Sequence, residues 1–268
     1  MYWRLLIVLS FLTAGASQLH AQAPPPSTVY VFPLFADGTA GGMAYRSVLK
    51  MTKTGGPASM QCTLVQRNTS APFTGIAYGG TFYTADTLDA GFSPASQTLI
   101  ILDSKVVPFE ILRTNAQSPL KTGYATLTCP GTVSAQLQVS LFDAQNNKVG
   151  EATVVPATQG ASFQFLVDRR DGTRLGFSLI NDSAISGQQF ILIARDQFNN
   201  EVDRFYDTIE SWSQVSYFVD QKLRLPANFV GSVEVVGVSG GKNYAVGLQY
   251  TGTVFTTVQP LVRSTPLP

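Results

Sequence analysis

The two halves of this chain carry the same landmarks in the same order, so its fold has to be one that can be built twice. FPLFADGT, ending at Thr39, parallels FLVDRRDGT, ending at Thr173. Gln97, Asp103 and Lys105 in QTLIILDSK match Gln214, Asp220 and Lys222 in QVSYFVDQK at the same spacing. Gly123 to Phe142 and Gly231 to Tyr250 each cover a strand, a turn and a strand over equal lengths. ATVVP, ending at Pro156, and TTVQP, ending at Pro260, close the two halves. Four such correspondences in one order point to an internal duplication.

The repeated unit reads as β. Short β-branched and aromatic runs, such as YRSVLKM, MQCTLVQ, GYATLTC, LGFSLIN and FILIARD, are broken by Gly, Asn, Asp and Pro at intervals of about ten residues. Helical periodicity is confined to DTIESWSQV, expected as a short helix between strands. The expected fold class is all-β, two tandem Ig-like or jelly-roll-like sandwiches over 29–157 and 158–262 with a tail at 263–268. The first unit is the longer. Its surplus lies mainly within APFTGIAYGGTFYTADTLDAGFSPAS, and the aromatics Tyr78, Phe82 and Tyr83 there are the candidate binding surface, since long loops on a rigid scaffold are where sites usually form.

The N-terminus predicts export. One basic residue, Arg4, precedes the apolar run Leu5 to Ala14 and the small residues of AGASQLHAQA, so 1–21 reads as a signal peptide and 22–28 as a Pro-rich spacer. No later apolar run has spanning length, and no transmembrane anchor is expected. The protein is expected outside the cytoplasm, secreted, extracellular or periplasmic. There Cys62 and Cys129, on different predicted strands, form one disulfide. The matching places in the second unit are read as Leu192 and Gly237.

Function is approached by exclusion. The single histidine, His20, falls in the signal peptide, so the mature chain would have no imidazole for Ser-His-Asp or Cys-His catalysis or for histidine-bound zinc. With 18 Lys+Arg against 17 Asp+Glu, there is no basic footprint for nucleic acid. No cofactor motif is present. Carboxylates remain, and a glycosidase needs two of them across a cleft, but most sit beside turn residues, with Glu110 and Glu234 in apolar runs. No metal is expected. The calcium candidates are Asp37 and Asp171 in the two DGT strings, where Asp-Gly is equally a favoured turn pair. Asn68-Thr69-Ser70 and Asn181-Asp182-Ser183 are glycosylation sequons.

Three strings together, FPLFADG (Phe32 to Gly38), GYATLTC (Gly123 to Cys129) and FVDQKLRLPANFVGSV (Phe218 to Val233), resemble a family of uncharacterised secreted bacterial proteins of FPxFADG type. The chain has KMTKTG and LINDSA where Asn-Pro often follows the opening strands of that family. The resemblance implies a tandem β-sandwich outside the cytoplasm and carries over no catalytic residue. The expectation is a non-enzymatic secreted protein that binds an extracellular protein or glycan or has a cell-surface structural role. The alternatives are a carbohydrate-binding module or weak glycosidase, and a periplasmic chaperone or fibre subunit working by strand addition.

Overall fold

The computed structural model describes residues 27–67, 73–77, 82–85, 95–102, 106–113, 120–236, 240–252 and 254–263; for the strands between 73 and 113 it describes the backbone course and pairing. The signal-peptide reading and most of the insertion lie outside these residues. The described chain is antiparallel β throughout, with one 3-10 turn at Val219–Gln221.

The first ten strands are β1 (Thr28–Ala40), β2 (Met43–Gly55), β3 (Ser59–Arg67), β4 (Phe73–Ala77), β5 (Phe82–Ala85), β6 (Ala95–Leu102), β7 (Val106–Arg113), β8 (Lys121–Cys129), β9 (Thr132–Phe142) and β10 (Lys148–Val154). They form one folded-over sheet. β1 pairs with β8 along most of its length and with β2 at its end, giving one wing in the order β1-β8-β3-β6-β5 and another in the order β10-β9-β2-β7-β4. The remaining strands are β11 (Ser162–Asp168), β12 (Arg174–Asn181), β13 (Gln188–Asp196), β14 (Glu201–Ile209), β15 (Ser213–Phe218), β16 (Val230–Val236), β17 (Asn243–Thr251), β18 (Val254–Val258) and β19 (Leu261–Arg263). These make two sheets, β19-β11-β16-β13-β14 and β18-β17-β12-β15. No pairing among the described residues joins a strand before β11 to one after β10.

Eight strands correspond one to one in chain order, β1, β2, β3, β6, β7, β8, β9 and β10 with β11 to β18, and their pairings correspond too, except that β1 pairs with β2 while β11 and β12 lie in separate sheets. Two glycines show why the sequence landmarks recur. A Cβ on Gly123 of β8 would sit 2.4 Å from the carbonyl oxygen of Arg67, and one on Gly231 of β16 would sit 2.0 Å from that of Arg195. Only hydrogen fits between the crossing strands at this point of either half. The correspondence also corrects one landmark. Gln97 lies on β6, whose counterpart is β14, whereas Gln214 lies on β15, whose counterpart is β7, so the match of QTLIILDSK with QVSYFVDQK joins strands of different sheets.

The insertion supplies the difference in strand number. β4 pairs with the outer side of β7, and β5 with the outer side of β6, so the extra residues extend both wings of the first unit at one side. The helix expected over DTIESWSQV is absent. Its first residues finish β14 and its last begin β15, with Trp212 in a left-handed turn at φ 51° between them. A hairpin turn between two β-branched runs outweighs three-residue periodicity over so short a stretch.

Cys62 and Cys129 are bonded, their Cα atoms 4.4 Å apart, a spacing typical of directly opposed residues in a non-hydrogen-bonded antiparallel pair. The register Thr63↔Thr128 places them opposite one another on β3 and β8, so the bridge joins neighbours in one wing rather than the two faces of the sandwich. It closes a separation of 67 residues, which chain-entropy arithmetic values at about 4 kcal/mol. The corresponding register of β13 and β16, Leu192↔Val235, puts Phe190 rather than Leu192 at the position of Cys62. Phe190 is buried in the second core, beside Leu192 and Phe165.

Candidate functional site

In the sheet β18-β17-β12-β15 the two central strands, β12 and β17, are buried on both faces over most of their length, and their composition follows from that. β12 reads LGFSLIN after its first residue and is buried over all seven positions, as a strand covered on both sides must be. Leu175, Phe177, Leu179 and Ala245 fill the core of the second unit. The alternate residues Val246 and Leu248, with Phe255, belong instead to the buried cluster of the first unit, alongside Phe32, Leu49, Leu127 and Leu137. The two units therefore share apolar packing, and the junction is a buried interface rather than a linker.

The opening string FPLF explains how this interface is hydrogen-bonded. The β1 ladder to β8 breaks register between Phe32 and Phe35, a bulge that accommodates Pro33, which has no N–H to donate. The freed carbonyl of Pro33 accepts from Ser178 Oγ at 2.7 Å and from Gln214 Nε2 at 2.8 Å, both on the second unit. Gln214 Nε2 also donates to the carbonyl of Gly123 at 3.1 Å. At the edge, Thr257 Oγ1 donates to the carbonyl of Thr153, joining β18 to β10.

A second polar seam lies beside these bonds. Tyr124 donates its hydroxyl to Asp182 Oδ1 at 3.0 Å, and Arg67 approaches the same carboxylate at 3.5 Å while its guanidinium lies 4.3 Å over the Trp212 ring. Burial first, then the Asp182 charge, holds the Tyr124 phenol far above its ordinary pKa, so it remains a donor. Val31, Ile180 and Tyr244 pack around it.

Between these contacts the units do not close fully. A cleft of about 400 Å³ is bounded by Leu34, Leu120 and Tyr45 of the first unit and by Phe218, Leu248 and Tyr250 of the second. This volume falls in the range of small-molecule sites. Cross-strand register accounts for its floor. Gly176 on β12 is flanked by Phe218 on β15 and Leu248 on β17, so one row of the sheet has large side chains at both sides and none in the middle. Tyr250 is wedged between Phe218, edge-on at 5.1 Å, and Phe255, stacked at 5.4 Å. Phe218 is in turn covered by Arg174 at 4.0 Å, and Arg174 is fixed by Asp220 through bonds of 2.8 and 2.9 Å. Among the described residues, none of those lining the cleft is charged.

The residues singled out by sequence are dispersed. Tyr78 lies outside the described residues. Phe82 and Tyr83 are on β5, paired with Leu99 and Thr98, and their side chains lie outside the description. Asp37 and Asp171 do not share one turn geometry: Asp37 is a buried strand residue opposite Lys121, and Asp171 is exposed in the turn before β12. No group of three or more potential metal-ligating side chains occurs among the described residues. Asn181 is fully buried and donates from Nδ2 to the carbonyls of Ile185 and Glu210, so this sequon has a structural role. Asn68 lies outside the described residues. Glu234 is also buried, held by Gln164 at 3.2 Å and Arg195 at 3.4 Å on one sheet. Sequence reasoning missed the cleft because its walls come from seven strands of two units, and each wall residue alone reads as ordinary core. The one available signal was Gly176, a glycine inside an otherwise apolar strand.

With this geometry established, the chain was compared with protein-family models, with curated proteins and with solved structures, and none of the three gave a match.

Proposed function

We propose that this is an exported, non-enzymatic binding protein, made of two copies of one eight-stranded sandwich unit, with its binding site in the cleft between them. The carrying observation is the cleft itself: an aromatic-walled space in the middle of an otherwise packed and hydrogen-bonded interface. Export is supported by the signal-like N-terminus and by the Cys62–Cys129 disulfide, which persists in an oxidising compartment. No helix among the described residues is long and apolar enough to cross a membrane.

Two observations favour binding in the cleft over the other readings. A glycosidase needs opposed carboxylates, and among the described residues no carboxylate lines the cleft. Strand addition needs a free edge, and on the edge strand β14 the N–H groups of Arg204 and Thr208 are taken at 2.9 Å by the carboxylates of Asp203 and Asp207. Charged side chains that occupy edge donors are a guard against pairing with another chain.

The test is native mass spectrometry of protein exported from its host with its own N-terminus intact. The expected result is cleavage of that N-terminus and a small-molecule adduct of unit stoichiometry, absent from Gly176→Leu. Retention of the N-terminus in the cytoplasm, or turnover of a polysaccharide or peptide panel at useful rates, would overturn the proposal.

A further inference from the structure

Resting on that reading, we infer that the cleft takes an uncharged, mainly apolar ring compound bearing a hydrogen-bond-accepting oxygen. Three features of the walls select this chemistry. Every described lining residue is neutral, so a charged ligand would leave water without gaining a partner charge from them. The row Phe218–Gly176–Leu248 has no side chain at its middle position, which leaves a slot there, with the ring of Tyr250 in the next row. Flat rings fill such a slot with face and edge contacts to aromatic neighbours.

The third feature is a pair of phenols. Tyr45 from the first unit and Tyr250 from the second both line the cleft, and neither hydroxyl has a hydrogen bond with any described residue. Burial raises both phenols above the usual tyrosine pKa, and the proximity of Tyr45 raises Tyr250 further. Both are therefore protonated donors across the neutral and mildly alkaline range. A carbonyl, ether or ester oxygen between them would accept from one or both, orienting the ring in the slot.

Gly176 argues that the space is maintained rather than incidental. A Cβ at this position would meet nothing nearer than Phe218 at 3.6 Å and the Leu248 carbonyl at 3.7 Å, which is ordinary contact. By contrast, Gly247 on the neighbouring strand would place a Cβ 3.0 Å from Phe165, where packing alone explains the glycine. Neither backbone conformation nor crowding requires glycine at 176, and its exchange for a larger apolar residue would close the slot.

The test uses the full exported protein with two fluorescent probes, neutral Nile red, which carries a ring ketone, and anionic anilinonaphthalene sulfonate. Nile red is expected to bind saturably with a blue-shifted emission. Its affinity should fall at least tenfold in Gly176→Leu, and severalfold in the double variant Tyr45→Phe with Tyr250→Phe. Gly176→Ala, which adds only a methyl at ordinary contact distance, serves as the variant that retains the fold, and it should weaken binding by a smaller factor with an unchanged melting curve. Unaltered Nile red affinity in a folded Gly176→Leu, or in the double Tyr variant, overturns the inference. If only the anionic probe binds and Gly176→Leu abolishes it, the ligand class is wrong while the cleft reading stands. If no probe responds to Gly176→Leu, both fall.

Discussion

Arg67 and Arg195 occupy the same place in the two units, each at the end of the strand that crosses the conserved-geometry glycine, yet they do different work. Arg195 stays on its own sheet and pairs with Glu234 at 3.4 Å. Arg67 leaves its unit, meeting Asp182 at 3.5 Å and covering Trp212. The faces around them diverge in the same way. The outer face of β12 and β17 in the second unit carries Ile180, Tyr244, Val246 and Leu248, whereas the equivalent face of β2 and β9 carries Lys50, Gln136, Gln138 and Ser140. One unit's surface is apolar where the other unit covers it, and the equivalent face of the other is polar where nothing described covers it. Equivalent backbones with unequal outer faces are what a tandem pair needs if it is to dock once and not polymerise.

The sharpest way to break this comparison is at the shared glycines. Gly123→Ala and Gly231→Ala each drive a methyl into a backbone carbonyl, and each is expected to cost about 3 kcal/mol, the upper range for overpacking. For a chain of this size that is a fall of roughly 6–12 °C in melting temperature. Thermal denaturation of the two single variants should give losses of similar size. A large loss at one glycine and none at the other would show that the two crossings are not equivalent.

The arginines should separate where the glycines agree. Arg67→Ala removes a cation–π contact and an ion pair from a seam between units, and about 1–2 kcal/mol is expected to be lost. Trp212 reports it directly, because the guanidinium lies over its ring, so its emission should shift. Arg195→Ala leaves Glu234 buried with Gln164 as its remaining partner and should cost a similar amount, but without changing Trp212 emission. Equal fluorescence changes in the two variants would remove the distinction between a seam arginine and an in-sheet arginine.

How much of this could be read in advance divides along the same line. The all-β class and the disulfide were legible because each depends on local alternation or on two cysteines in one chain. The Gly123/Gly231 landmark was legible for a firmer reason, since a steric requirement at a strand crossing permits one residue. The Gln97/Gln214 landmark misled because spacing alone carries no information about which sheet a strand joins. Asp37 misled because its DGT string resembles the turn at Asp171, while the first hairpin turns later, at Gly41 and Gly42. The cleft was illegible for a different reason: it exists only once two units dock, and docking depends on which of two similar faces is apolar in three dimensions.

The smallest effect tests the wall of the cleft that belongs to the second unit. Asp220 accepts from Arg174 at 2.8 and 2.9 Å and from Arg169 at 3.1 Å, and Arg174 in turn covers Phe218. The Arg174 hydrogen bonds, and then the two guanidinium charges, hold the Asp220 carboxyl below its ordinary pKa against the opposing effect of burial. A group depressed in the folded state contributes stability above its unfolded pKa and loses it as pH falls through the folded value. Asp220→Asn is therefore expected to cost about 1 kcal/mol at pH 7, since the network is partly exposed and screened. The gap between variant and parent should narrow as pH is lowered below the ordinary carboxylate range near 4. Urea denaturation at pH 7 and at pH 3 checks the sign: a gap that widens in acid would mean that Asp220 is not held ionised by its arginines.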